Sequence, residues 1–444
     1  MAFPFGILAN FFRPDPVPHK RRIEASASRP RWQGAGHLHA PQQSTLAARA
    51  AAQQRAAAAY LNTPQGNRIV GSWVAALIGK GWQCRPQHPD AAIRHDLADA
   101  FEALTRPLMM TLARALIRDG EVFVHLRIGA VGDLCPKLIP ADQIDASLTR
   151  DLGNGARIIA GIEFDADDEV TAYHILREAP GAAFASYGDT LRIPAVDMLH
   201  IYDRLFPGQV RGLSWLAPVL LKLRDRDEAS DALLMQLKTA SLLTGFIKTM
   251  DGSTDGYAGD VSGNALNVAL EPGAMRILPG GTDVTFSQPG QGLTQAIEFL
   301  RAQDREIAAG VGMTFEQLTG DLGEANYSSA RVGLLDFRRR AEMLQINLIE
   351  MQFLRPLWLR WLAVREMAGM TPAGEAGVSS FPVRFVPPGW QWVDPRNEVE
   401  ADVAAIAAGL KSREEVVAGR GRDIDELDAE RARDAARADR KDQK

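Results

Sequence analysis

Cysteine is nearly absent: Cys84 and Cys135 are the two thiols among 444 residues. Each stands in its own unrelated context, so neither a disulfide framework nor a thiol zinc cluster can be assembled, and a reducing compartment is expected. Long hydrophobic runs are missing as well. The apolar start MAFPFGILANFF is broken by Pro4, and the cluster Lys20, Arg21, Arg22 follows it where a secretion signal puts its charge first. No secretion signal is expected. The run FLRPLWLRWLAV carries Arg355 and Arg360 and falls short of the roughly 18 apolar residues of a membrane span, so the reading is a soluble chain with no membrane partner. Excess positive charge is the third absence. Fifty Lys+Arg against 55 Asp+Glu leave a net charge of -5, which excludes a protein that grips nucleic acid by neutralising many phosphates along a basic face.

Catalytic motifs fail at named positions. The stretch from Gly71 to Gly81 resembles a phosphate-binding loop around Gly79-Lys80, but Val74 stands where the first glycine belongs and Gly81 where the hydroxyl residue belongs. Gly212-Leu213-Ser214-Trp215-Leu216 lacks the second glycine of a nucleophile elbow. Asp251, Ser253, Asp255 and Gly256 begin like a calcium loop, yet Ser262 replaces the bidentate Glu. His37 and His39 have no third ligand nearby. Gly310-Val311-Gly312 follows a helix where a dinucleotide fingerprint needs a strand. The expectation is therefore no catalytic residue, no metal and no cofactor.

What is present is a folded, multi-part chain, 46 % hydrophobic. Residues 13–41 hold prolines at 14, 16, 18, 30 and 41 with six Lys/Arg and no apolar period, so residues 1–43 read as an extended basic arm. An Ala-rich helix capped by Ser44 is expected to end before Pro64, and a second helix to cover IVGSWVAALIGKG. A third spans about Ile93 to Arg118 and carries Pro107, where a kink is expected. EVFVHLRIG, CPKLIP, ARIIAGIEFD, EVTAYHILRE and MLHIYDR read as strands between Gly and Asp turns. Helices followed by an antiparallel sheet indicate an α+β unit ending near Gly212.

Beyond it the pattern is helix to about Thr244, then a Gly- and Asp-rich stretch with short strands MRILP and VTFSQP, then helix again from Thr294. Two helices of similar length flank a small insertion. The polar stretch GDLGEANYSSAR leads into a long helix from about Val332 to Met367, apolar on nearly all sides and bent at Pro356. Near the end, Val399, Val403, Ile406 and Leu410 form a stripe, and Ser412 with Glu415 and Asp423 with Glu426 give two helix starts. From Lys411 onward 20 of 34 residues are charged, ten of each sign, which suits an exposed helix grading into disorder.

This ordered set resembles the lambda-type family of phage portal proteins over nearly the whole chain. Its most specific element is Leu318-Thr319-Gly320-Asp321-Leu322 followed by Asn326-Tyr327-Ser328-Ser329-Ala330-Arg331, preceded by REIAAGVGMTFEQ. EPGAMRILPGGTDVTFSQP, LLMQLKTASLLTGFIK and Trp392-Val393-Asp394-Pro395-Arg396-Asn397-Glu398 with GLKSREE support it. The resemblance implies a portal fold: an α/β wing (44–215 and a long helix at 332–370), a stem of two helices (216–245 and 293–311), a small β-containing clip (246–292), a tunnel loop (312–331) and an α-helical crown (371–444), disordered at the end. It implies a homo-dodecamer at one capsid vertex, a conduit for double-stranded DNA in packaging and ejection. The ring nucleates prohead assembly, in the virion and, during assembly, in the host cytoplasm. Partners would be the terminase large subunit, major capsid and scaffold proteins, and head-completion proteins, with DNA passing non-specifically.

Under this resemblance Asn326, Tyr327, Ser328, Ser329 and Arg331 are channel candidates that touch DNA backbone without reading bases. The other reading of the segment is a hydrogen-bonded turn that orients the next helix. Arg338, Arg339 and Arg340 wrap around three sides of a helix and are expected to form inter-subunit ion pairs. The basic arm either docks to coat protein, scaffold or packaged DNA, or is an unstructured end. Alternatives for the chain are another virion ring, such as a head-closure or baseplate subunit, or a nucleotide-hydrolysing packaging enzyme using Lys80.

Overall fold

A computed structural model describes residues 41–181, 190–241, 245–248, 260–262, 265–267, 275–278, 293–323, 327–370, 382–391 and 394–442. The basic arm to residue 40, His37 and His39, the Asp251–Gly256 stretch, VTFSQP and most of 246–292 lie outside them.

Helix α1 (Pro41–Asn62) contains Ser44 within it, and the Thr45 hydroxyl donates to the Pro41 carbonyl at 2.8 Å. Ser44 is thus no cap. Helix α2 (Pro64–Ile78) starts where Thr63 accepts from the Gly66 N–H, with Pro64 in the first turn where its missing N–H costs nothing. Strand β1 (Gln83–Pro86) follows, then α3 (Ala91–Asp119), capped by Asp90, running through Pro107 and stopped by Gly120 in the left-handed region.

The strands β2 (Glu121–Ile128), β3 (Leu134–Ile139), β4 (Arg150–Gly153), β5 (Ala156–Ile159), β6 (Ile162–Phe164), β7 (Val170–Leu176), β8 (Thr190–Pro194) and β9 (Met198–Tyr202) make two antiparallel sheets, ordered β3-β2-β9 and β4-β5-β6-β7-β8. ARIIAGIEFD is two strands, not one: Ala160 (φ 48°) and Gly161 (φ 82°) turn the chain between β5 and β6. A Cβ on Gly161 would meet the Asp145 carbonyl oxygen at 2.7 Å, so the turn requires glycine there.

Helix α4 (Leu220–Ser241) leads to short strands β10 (Gly245–Lys248), β11 (Asp260–Ser262), β12 (Ala265–Asn267) and β13 (Met275–Leu278), with β10 parallel to β13 and β11 antiparallel to β12. Then come α5 (Leu293–Gly310), α6 (Phe315–Thr319) and α7 (Tyr327–Leu344). The expected long helix is three pieces. A ten-residue π-helical segment, Gln345–Leu354, joins α7 to α8 (Arg355–Met367), and Pro356 sits in the first turn of α8. Strand β14 (Val383–Val386) pairs antiparallel with β1, and α9 (Pro395–Ala407), α10 (Arg413–Gly419) and α11 (Ile424–Asp442) close the chain. Ser412 accepts from Glu415 N–H and Asp423 from Glu426 N–H at the two expected helix starts.

The main core gathers Trp73 of α2, Phe101 and Leu112 of α3, Phe353 of the π segment and Trp358 and Trp361 of α8, with Phe101 edge-on to Trp358 at 5.1 Å. A smaller core under the five-stranded sheet joins Phe123, Ile162, Tyr173, Ile175 and Met198. The long helix is not buried on all sides: Ile346, Met351 and Leu359 are about half exposed. The α+β expectation holds.

Candidate functional site

The helix, insertion, helix unit is built from α4 and α5. Lys222 pairs with Glu306 at 2.8 Å and Arg226 with Asp304 at 3.1 Å. Residue numbers rise along one helix as they fall along the other, so the two are antiparallel. Asp304 is nearly buried and Arg226 half-buried, making this the stronger of the two links, whereas the exposed Lys222 pair is screened by solvent. Across both helices six basic side chains face seven acidic ones, a net of -1. Such a pair offers little to hold phosphate.

After α5 the chain turns a corner whose geometry is fixed from three sides. The Trp73 indole donates to the Val311 carbonyl at 3.1 Å. Gly312 lies at φ 69°, and a Cβ there would meet the Arg340 guanidinium at 1.9 Å. Thr314 and Gln317 form a reciprocal cap that starts α6, and Arg68 donates to the Gln317 carbonyl at 2.8 Å. Arg305 lies over the Phe315 ring at 5.1 Å.

The segment expected as a tunnel loop at 312–331 is therefore not loop throughout. It contains α6, and residues 327–331 belong to the first turns of α7. The signal passed over was Thr314-x-x-Gln317, a capping box at the end of the run REIAAGVGMTFEQ. Asn326 and the side chains of Tyr327, Ser328 and Ser329 lie outside the described residues; Arg331 is half-buried on α7. Two of the three arginines at 338–340 are engaged within the chain. Arg338 donates to the Gln391 carbonyl at 2.8 Å and covers the Trp390 ring, and Arg340 lies over Trp73 at 5.6 Å. Arg339 is exposed.

The motif-like glycines have ordinary places. Gly79 caps the C-terminus of α2, so Lys80 follows the negative end of a helix, where a phosphate loop needs the positive end. Ser214 is buried, and its hydroxyl accepts from the Leu216 N–H at 3.2 Å.

A charged cluster that no motif signalled lies where α1, the three-stranded sheet and the segment before α4 meet. Glu121 and Arg211 are both fully buried and meet at 2.6 Å, with Arg49 of α1 reaching the same carboxylate at 2.9 Å. The Gly212 N–H donates to it at 2.8 Å and His200 Nε2 lies 3.0 Å away. Arg211 also donates to the Ala160 and Ala141 carbonyls. Burial alone would raise the Glu121 carboxyl, but Arg211 and the other donors overrule it and hold it well below the usual range. Burial between the Phe123 and Tyr202 rings, each 4.2 Å away, pushes His200 down, so the imidazole is neutral and donates to the carboxylate.

The chain matches the model of the family described as phage portal protein, lambda family, over residues 29–345. It is 27 % identical over 326 residues to the probable portal protein of Halomonas phage phiHAP-1, covering 70 % of this chain and 62 % of that one. To portal protein B of Escherichia phage lambda it is 24 % identical over 270 residues, 53 % of this chain and 49 % of that one. The chain thus spans about half to three fifths of the length of these relatives. Among solved structures, a neck of an empty GTA particle gives a TM-score of 0.43 at 18 % identity over 81 % of this chain and 91 % of that one. An HK97 family phage portal protein from Corynebacterium diphtheriae gives 0.32 at 12 % identity over 78 % and 97 %. Matched by that family model over well over half its length, the chain belongs to the lambda family of phage portal proteins.

Proposed function

We propose that this chain is the repeating subunit of a twelve-membered portal ring at one capsid vertex, a structural conduit for double-stranded DNA and not an enzyme. The observation that carries the reading is the antiparallel α4–α5 pair, locked by Arg226–Asp304, with residues 246–292 between its ends. Such a pair gives each subunit a stem with a module at its tip. The near-neutral charge of the pair supports passage over retention, because persistent phosphate contacts would raise a barrier at every step of a moving duplex.

In this assignment residues 246–292 form the clip and dock the terminase large subunit, then head-completion proteins. The α+β wing meets the capsid and scaffold proteins, first in the host cytoplasm and finally in the virion. The corner at 312–331 faces the channel, with Arg331 and the hydroxyl and amide residues before it as backbone contacts.

Electron microscopy of the purified protein, viewed down the particle axis, together with its native mass, tests the proposal. Rings of about twelve subunits around a hole wide enough for a duplex of about 20 Å are expected. Monomers or small closed oligomers without a hole, persisting across salt and concentration, would overturn it.

A further inference from the structure

Helix α7 carries the corner that follows α5 on one of its faces. At about 100° per residue, Gly333, Phe337 and Arg340 fall within about 60° of one another. A Cβ on Gly333 would meet the Thr314 methyl group at 2.6 Å. Phe337 is buried, its ring 4.7 Å from that of Trp73. Arg340 completes the row, with its guanidinium over the Trp73 ring and in the space that a Cβ on Gly312 would fill. Glycine at 312 is thus required twice, by its positive φ and by the guanidinium against it.

Packing holds Arg340, and charge does not. Among the described residues it forms no hydrogen bond and no ion pair. Arg68, Arg301 and Arg338, which surround the same corner, all have acceptors: the Gln317 carbonyl, the Asp321 carboxylate and the Gln391 carbonyl. Burial raises the Asp203 carboxyl and the charge of Arg340 opposes the rise, yet the two do not pair. Asp336, one turn back on α7, is exposed and does not pair with it either. Arg340 is itself exposed. A guanidinium stacked on an aromatic face keeps its fork of donors at its edge, and one that is already ordered loses little freedom when an anion arrives.

We infer that Arg340 is a phosphate contact for the passing duplex, one per subunit, a reading that rests on the ring and the channel-facing corner proposed above. The fork of a guanidinium matches two oxygens of a phosphodiester, and a duplex presents one such charge per about 1.7 Å of its length. Backbone is met and not bases: a side chain packed against Gly312 and Trp73 cannot reach into a groove, so it touches what lies on the outside of the duplex. With Asp203 and Asp336 nearby, the attraction of this cation is local, which suits a chain that touches DNA without retaining it. An ion pair to a neighbouring copy, the expectation from the sequence for 338–340, would use the same donors. The two differ in what is lost when the charge is removed, DNA binding or the ring.

Fluorescence anisotropy of a labelled duplex on rings of the full chain, with electron microscopy of the same samples, tests the contact. Arg340→Met keeps an apolar stem over Trp73 and removes the charge. It is expected to leave the rings intact and to make the slope of log K against log salt shallower by about 1 or more, equally for duplexes rich in A·T and in G·C. Arg340→Lys, a point charge without the fork, should fall between the two, and Arg339→Met should leave the slope unchanged. Intact Arg340→Met rings with the slope of the unaltered protein would overturn the contact and leave the ring standing. Loss of rings on Arg340→Met would overturn it as well, as the mark of an arginine that bridges or braces subunits. Failure of the unaltered chain to form rings would remove the ring and this contact together.

Discussion

At the scale of single residues, the largest energetic stake is the carboxylate of Glu121. It is buried with Arg211, Arg49 and His200 and ties α1, β2, β9 and the segment before α4 to one point. Removing one partner of a buried ion pair leaves the other desolvated and uncompensated, at about 3–5 kcal/mol. Arg211→Ala is accordingly expected to lower the unfolding free energy by about that amount, read as a shift in the urea midpoint. A loss under about 1 kcal/mol would mean that Arg49 alone neutralises the site. Glu163 gives the pH dependence. Hydrogen bonds from Arg192, first, and from His174 lower its carboxyl to about 2 from 4.5. A carboxyl lowered on folding contributes stability that is complete above about pH 4.5 and is lost as the pH falls toward 2. Arg192→Ala should therefore reduce the slope of the melting temperature against pH between about 5 and 2 without changing it above pH 6. None of these partners could be found in the sequence. Residues 49, 121, 200 and 211 share no spacing, and nothing local distinguishes Glu121 from a carboxylate in water.

Among the elements, those that depend on neighbours along the chain were legible and those that depend on neighbours in space were not. The helices α2 and α3, the strands β2, β3, β7 and β9, and the caps at Ser412 and Asp423 follow from period and capping chemistry. Strands β1 and β14 did not show: each is four residues long, and they pair across some three hundred positions. The π segment was read as ordinary helix, since an apolar run has the same composition whatever its turn. Its register is held by two glutamines. Gln345, buried, donates to the Ala76 carbonyl at 2.8 Å, and Gln352 accepts from the Tyr202 N–H at 3.0 Å. In an α-helix these residues, seven apart, would lie within about 20° of one face; here they serve the end of α2 and strand β9. Gln345→Ala leaves a buried carbonyl unpaired, and a loss of about 1–3 kcal/mol is expected by denaturant titration. The α4–α5 pair makes a parallel case. A double-mutant cycle of Arg226→Ala and Asp304→Ala should give a coupling of about 0.5–3 kcal/mol, as residues within one ion pair do. The segment 312–331 was half legible for the same reason as the rest: its glycines and the polar run from Gly320 showed, while the helix start at Thr314 did not.

For the whole molecule, the charge balance makes a prediction about DNA that no single residue makes. In the ring proposed above, a chain of net charge -5, with α4 and α5 together at -1, would lower the energy of a duplex only through a few local contacts. Counterion release then limits how steeply binding depends on salt, with a slope of log K against log salt of about -0.9 per phosphate neutralised. If each duplex in the ring meets no more than about three guanidinium or ammonium groups at once, the slope stays shallower than about -3. Fluorescence anisotropy of a labelled duplex with purified rings, between about 50 and 200 mM salt, measures it. A slope of about -6 or steeper would mean persistent phosphate contacts in series, and the near-neutral α4–α5 pair would then not favour passage. Residues 1–40, read from the sequence as part of a basic arm with six Lys/Arg from position 13 on, are one stretch able to produce such a slope. Repeating the titration on rings lacking that arm therefore separates an arm that holds packaged DNA, whose removal flattens the slope, from a channel that grips, whose slope survives the deletion.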